Sequence, residues 1–182
     1  WLKVADPDPD GVLIFGSDEV ARGIAQALAD QKFQVVLADD DWDGISKARM
    51  AGLTTFFGNP TSQHAALNLD LTGIGRLLAM SNRRELNSLA CLHYRQEFGR
   101  EHVYRLRVLA PEDVNDRAAF AGSLRAKALF GSDMTHTRLA ELLVDGWRIK
   151  TNALTEAFDW PDFVAQHGAD TVLLFGIESN GR

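Results

Sequence analysis

GVLIFGSDEVARGIAQALADQKFQVVLAD, residues 11–39, decides the fold. It opens with a short apolar run, Val12 to Phe15, closed by Gly16. A run of that length, rich in branched residues, suits a strand buried on both faces. The period then changes: Val20, Ile24 and Leu28 recur every four residues with Ala21 and Ala25 beside them, which is one apolar face of a helix. Ser17 or Asp18 is placed to cap that helix, and the acidic residues after the turn suit its positive end. FQVVLA (33–38) is a second buried strand, and Asp39 follows it at once.

The same alternation extends outward. Residues 43–51 are helix-like, LTTFF (53–57) is a third strand, TSQHAALNL (61–69) a short helix and GRLLAM (75–80) a fourth strand. RRELNSLACLHYRQEF (83–98) reads as a long helix with Leu86, Leu89, Ala90 and His93 near one side, and HVYRLRV (102–108) as a fifth strand. Strand–helix alternation at this spacing predicts an α/β fold, a Rossmann-like doubly wound parallel sheet with helices on both faces. Beyond Val108 the rhythm loosens. AKALF (126–130) fits a sixth strand and THTRLAELLVDG (135–146) a helix; WRIKTNAL (147–154) and TVLLFGI (171–177) read as strands around a helix at WPDFVAQHG (160–168), with Pro161 in its first turn. The expected organisation is a linker over 1–10, the sheet domain over 11–145, and a small, partial α+β segment of β-α-β character over 146–182. That segment stops on a turn, ESNGR, as a unit cut short does.

Composition narrows the function classes. Of the 182 residues, 46% are hydrophobic, enough for a substantial core, and the net charge is −6. An acidic chain lacks the clustered Lys and Arg of a nucleic-acid binder, so no nucleic-acid partner is expected. Cys91 is the single cysteine, which excludes a disulfide within the chain and favours a reducing compartment. The five histidines are scattered, form no close ligand pair and read as ordinary surface or packing residues, so no metal site is expected. No apolar run is long enough to span a bilayer. The first residues, WLKVADPDPD, are rich in proline and aspartate and read as a linker, suggesting a fragment of a longer protein.

The chemistry concentrates at the strand ends. A glycine at the end of the first strand allows a tight turn, the helix N-terminus after it faces phosphate, and an acid at the end of the second strand can accept a ribose hydroxyl. Gly16 and Asp39 occupy those places. The glycine fingerprint expects glycine at 16, 18 and 21. Ala21 is a tolerated small residue, but Asp18 puts a carboxylate where the backbone should approach a pyrophosphate. Two anions about 4 Å apart repel by roughly 4 kcal/mol at an effective dielectric near 20, unless Asp18 turns away or caps the helix. Asp39, in the run Asp39-Asp40-Asp41, either grips a ribose, which disfavours a 2′-phosphate, or belongs to a solvated helix cap. Asn59, in Gly58-Asn59-Pro60-Thr61, either reads an adenine edge or closes a plain turn. Met80-Ser81-Asn82 follows the fourth strand on the same carboxyl edge. Arg105, inside the fifth strand, either reaches a phosphate or a neighbouring subunit, or lies at a surface edge. Cys91 reads as core. A dehydrogenase using a Tyr-x-x-x-Lys pair is not indicated: Tyr94 is followed four residues on by Phe98, and Tyr104 by Val108.

These blocks together carry a resemblance. VLIFGSDEVARGIAQAL, VVLADDD, TTFFGNPTS, RLLAMSNRRELNSLAC and HVYRLRV resemble the successive blocks of the potassium-transport nucleotide-binding domains (KTN, TrkA-N, also called RCK), over residues 11–108. ALFGSDMTHTRLAELL and the end of the chain resemble the tails that follow such domains in bacterial sodium/proton antiporters of the cation/proton antiporter class. The resemblance implies a ligand among AMP, ATP and NAD(H), a homodimer or ring, and no catalytic residues. It implies a membrane transporter domain in the same parent chain, and a place on the cytoplasmic side of the bacterial inner membrane. Carried onto this sequence, the phosphate turn is Gly16, Ser17, Asp18, Glu19 and Val20, and the ribose acid is Asp39 with Asp40 nearby. Base and sugar contacts fall at Gly58, Asn59, Met80, Ser81 and Asn82. Arg105 matches a basic position of the fifth strand. Asp18 in place of the second glycine, and Asn59 where aspartate is common, depart from the family pattern. An enzyme and a ligand-free oligomerisation module are the alternatives.

Overall fold

The computed structural model describes residues 9–108, 126–131, 134–155, 158–168 and 171–176. The linker expected over 1–10 lies mostly outside the described residues, as do Ile177 and the final turn.

The elements of the first half follow the sequence rhythm. Strand β1 (Gly11–Phe15) leads to helix α1 (Glu19–Asp30), β2 (Val35–Asp39), α2 (Trp42–Met50), β3 (Thr54–Phe57), α3 (Gln63–Asn68), β4 (Ile74–Ala79) and α4 (Arg84–Phe98). A single 3-10 turn, Arg100–His102, precedes β5 (Val103–Arg105). After it come β6 (Lys127–Ala128), α5 (His136–Val144) and α6 (Trp160–His167). Every residue of β1 and β2 is buried, as an unbroken apolar run predicts for an inner parallel strand. α1 buries Val20, Ala21, Ile24, Ala25 and Leu28, the stripe its four-residue spacing predicts. Burial of Ile24 and Leu28 contributes roughly 1.5–3 kcal/mol each.

The strands form one six-stranded sheet in the order β3-β2-β1-β4-β5-β6, and each neighbouring pair is parallel. The fold is thus the doubly wound α/β sheet. The winding reverses between β1 and β4, where Ile14 pairs with Leu37 on one side and Leu78 on the other. A crevice opens beyond the carboxyl ends of the strands at such a reversal. One face of the sheet packs Val12, Ile14, Leu37 and Leu78 against α1, with Ile45 of α2 and Leu139 of α5. The other packs Leu13, Phe15, Val36 and Leu77 against Ala90, Cys91 and Tyr94 of α4.

The structure departs from the sequence reading in three places. The buried face of α4 is Asn87, Ala90, Cys91 and Tyr94, while Leu89 is 53% exposed and His93 lies outside. Asn87 turns inward because it is hydrogen-bonded to Ser81 at the end of β4. Strands β5 and β6 are shorter than 102–108 and 126–130, because Arg107 bridges Thr135 instead and only Lys127 and Ala128 find a partner on β5. No strand forms over 147–154 or over the described part of 171–177. These segments have no neighbouring ladder. The one bridge nearby, Thr155 to Phe158, lies between them, and their apolar side chains serve as separate anchors: Ile149, Leu174 and Phe175 pack onto the α1 face of the core. Among the described residues no helix is long and apolar enough to cross a membrane.

Candidate nucleotide cleft

Four turns meet at the carboxyl edge: 16–18 after β1, 39–41 after β2, 58–61 after β3 and 80–83 after β4. Gly16 makes the first possible. Its φ is +135°, and a Cβ there would sit 3.0 Å from the Ser81 amide nitrogen. Glycine therefore serves the close approach of β4 as well as the turn. Ser17 follows, buried, and its hydroxyl donates to Asp39 Oδ2 at 3.0 Å. Gly44 of α2 leaves room for it: a Cβ on Gly44 would lie 2.2 Å from Ser17 Oγ and 2.6 Å from the Ser17 carbonyl oxygen.

Asp39 is buried at the end of β2, and donors surround its carboxylate. Besides Ser17 on Oδ2, Oδ1 accepts from the amides of Asp40 (2.8 Å) and Asp41 (3.3 Å) and from Arg83 Nη2 (2.9 Å). Arg83 bridges: the same Nη2 reaches Asp40 Oδ1 at 2.6 Å and Nη1 reaches Asp40 Oδ2 at 3.1 Å. Its guanidinium carbon lies 5.9 Å from the Phe15 ring centroid. The two acids answer differently. Burial raises the Asp39 carboxyl above its ordinary range despite the donors on it, whereas the Arg83 hydrogen bonds hold exposed Asp40 below that range. The pairing with Asp40 in turn raises Arg83.

Asp18 caps α1. Its Oδ1 accepts from the Ala21 amide at 2.9 Å, and its Oδ2 is hydrogen-bonded to Nε2 of His136, from the first turn of α5. Burial alone would raise this carboxyl, but the His136 contact and the amides of Ala21 and Val20 outweigh it and hold it low. The carboxylate therefore stays charged at neutral pH, on the helix end that a phosphate would use.

The remaining expected residues divide. Asn59 closes an Asx turn, its Oδ1 accepting from the Thr61 amide (2.9 Å) and hydroxyl (2.8 Å). Gly58 has φ +143° and its amide donates to the Asp39 carbonyl at 2.7 Å, which ties the third turn to the second. Ser81 is buried and fixed by Asn87: Ser81 Oγ donates to Asn87 Oδ1 (2.7 Å), and Asn87 Nδ2 to the Ser81 carbonyl (2.7 Å). Asn82 and Glu19 are exposed at the edge. Val20 and Met80 turn their side chains into the core, so only their backbone borders the cleft. Arg105 is buried on the α4 face, where Nη1 donates to Ser88 Oγ at 2.5 Å. Cys91 is buried and its thiol is pushed up to about 12, which makes it inert at neutral pH.

Sequence reasoning missed Arg83, Asn87 and His136. Arg83 had a signal: a basic pair, Arg83-Arg84, on the same sheet edge as the acidic run 39–41. For His136 the signal was weaker. A basic side chain in a helix's first turn opposes the dipole and calls for an acidic neighbour. Asn87 had none, because a polar residue on a helix reads as surface.

The donor set fits the adenosine half of a nucleotide. A buried carboxylate at the end of β2 is the acceptor a ribose diol needs, and here Ser17, Arg83 and two amides occupy it. The phosphate half does not fit with Asp18 where it stands.

Comparison with known proteins agrees with this layout. No curated protein matches the chain. Among solved structures, the TrkA-N domain of inner membrane protein ybaL from Escherichia coli is 12% identical. Its superposition gives a TM-score of 0.50 and covers 79% of this chain and 100% of that one. The NAD(P)-binding domain of an exopolyphosphatase-related protein from Archaeoglobus fulgidus is 19% identical, with a TM-score of 0.48, over 74% of this chain and 95% of that one. At 12% identity the likeness to the ybaL domain speaks for the fold alone. The family model of the TrkA-N domain matches residues 12–119, from β1 through all four turns of the cleft. With that match covering more than half of its length, the chain belongs to the TrkA-N domain family.

Proposed function

We propose that this domain is the nucleotide-sensing regulatory part of a bacterial cation/proton antiporter, held on the cytoplasmic side of the inner membrane, and that it is not an enzyme. An adenine nucleotide, AMP, ATP or NAD(H), enters between the Gly16 turn and Asp39 and biases two arrangements of a homodimer. A ligand does this only by binding the two arrangements unequally. The observation that carries the reading is the buried Asp39 carboxylate at the winding reversal, next to a glycine turn with φ +135°. The Escherichia coli neighbour is a TrkA-N domain of an inner membrane protein, and a comparable attachment is proposed here. For the homodimer, the support is the exposure of Leu89 (53%) and Leu92 (40%) on α4.

Thermal unfolding in the presence of AMP, ADP, ATP and NADH tests the reading. A ligand at 100 times its dissociation constant adds about 2.7 kcal/mol of stability, a readily measured shift. Stabilisation by at least one of the four, lost in Asp39→Ala, is the expected result. No shift with any of them at millimolar concentration favours the second reading, a ligand-free oligomerisation module, which the carboxylate of Asp18 on α1 and the saturated carboxylate of Asp39 support.

A further inference from the structure

The cleft is closed from within by two polar contacts, and one of them reaches a distant helix. Asp18 and His136 are 118 residues apart in sequence. His136 opens α5, and three features pin that helix end at the carboxyl edge. The His136 amide donates to the Arg107 carbonyl at 2.6 Å, Thr135 bridges Arg107, and the Thr135 hydroxyl caps Arg138 N at 3.1 Å. Behind the contact, Leu139 of α5 shares one apolar cluster with Ile24 and Leu28 of α1. The mouth of α1 and the start of α5 are therefore joined by a polar contact in front and by packing behind.

Resting on the nucleotide reading above, we propose that the Asp18–His136 contact is an autoinhibitory latch: the carboxylate holds the place on α1 that a nucleotide phosphate takes, and phosphate entry breaks the contact and loosens α5. Asp18 accepts from the amide of the first helical turn, the group a phosphate uses. Two anions do not share that turn in a partly buried site. The latched arrangement thus lowers apparent affinity by the fraction of molecules in which it is closed. Its rupture supplies the differential interaction a sensor needs, because His136 keeps its carboxylate partner only in the nucleotide-free arrangement.

Two variants separate the latch from the fold. Asp18→Asn keeps a competent N-cap and removes the charge, since asparagine caps as well as aspartate. His136→Ala removes the imidazole and leaves the Thr135 cap in place. Calorimetric titrations with AMP, and with adenosine as the phosphate-free control, are made on the wild-type chain and both variants, with hydrogen exchange of α5 followed in parallel. The latch predicts AMP affinity at least about tenfold tighter in Asp18→Asn, the worth of one charge-assisted hydrogen bond, and a smaller gain in His136→Ala. Adenosine affinity moves by less than about twofold. AMP speeds α5 exchange in the wild type and leaves it unchanged in the variants. AMP binding to Asp18→Asn alone also supports the latch. Equal AMP affinity in wild type and Asp18→Asn, or AMP binding without a change in α5 exchange, overturns the latch and leaves the nucleotide reading standing. No binding of AMP or adenosine to any of the three overturns both.

Discussion

Asp39 and Asp18 flank the Gly16–Ser17 turn, and their carboxyls are shifted in opposite directions, Asp39 upward by burial and Asp18 downward by its hydrogen-bond partners. Asp39 ends a buried strand; its donors are two backbone amides, the Ser17 hydroxyl and Arg83, and burial still leaves its carboxyl raised. Asp18 opens a helix, has the more exposed side chain (34% against 9%), and is held low by His136 and the helix amides. The first acid is built into the sheet, and two amides, the Ser17 hydroxyl and Arg83 fix its carboxylate from both oxygens. The second is held by a side chain from another helix, a contact that one rotation breaks. On the proposed function, Asp39 has a structural and recognition role and Asp18 a gating role.

Asp39→Ala separates the two acids most strongly. It strands the Ser17 hydroxyl, two amides and one face of Arg83, so the expected loss is roughly 2–3 kcal/mol of unfolding free energy together with nucleotide affinity. A loss no larger than that of Asp18→Ala, in denaturant titrations, would remove the distinction. Gly44→Ala comes next. Its new Cβ meets the Ser17 hydroxyl and carbonyl at 2.2 and 2.6 Å, so α2 must shift from the turn at a cost of about 1–3 kcal/mol, with nucleotide affinity falling as Ser17 releases Asp39. The acid limb of stability gives a smaller effect with a definite sign. A lowered Asp18 stabilises the fold above the ordinary carboxylate range, and that contribution is lost as pH falls through its folded value. A raised Asp39 acts the other way: its contribution is present below the ordinary value and fades as pH rises through the folded one. Asp18→Asn should therefore flatten the fall in stability toward acid pH, and Asp39→Asn should steepen it. Equal acid limbs in the two variants would contradict the assignment. Arg83→Gln is the mildest: the side chain is 38% exposed, and stability should change by less than about 1 kcal/mol by thermal unfolding.

The first half of the fold was legible because its signals are local. Apolar runs in β1 and β2, the four-residue spacing of α1 and the glycine at 16 each carry their meaning within a few residues. In the C-terminal segment the helix was legible, its start marked by Pro161, but the two strands read there do not form among the described residues. WRIKTNAL and TVLLFGI have strand-like composition, but a strand needs a partner ladder, and composition does not say whether one exists. The site divides along the same line. Gly16, Ser17, Asp39 and Gly58 were readable because each sits at a strand end. The roles of Arg83 and His136 depend on chain brought together from far apart, 44 residues in one pair and 118 in the other. Asp18 was recognised as a departure from the glycine pattern, yet its partner was not, since nothing local to residue 18 points to residue 136.

On the proposed function, the cleft bounded by Gly16 and Asp39 receives an adenine nucleotide. Amide chemical shifts followed during a titration with AMP test it most directly. Nucleotide binding there gives saturable shifts concentrated at residues 16–20, 39–41, 58–59 and 80–83, with a second group in α5. Absence of saturable shifts at the first four segments, or shifts confined to the exposed faces of α4 and α6, would contradict it.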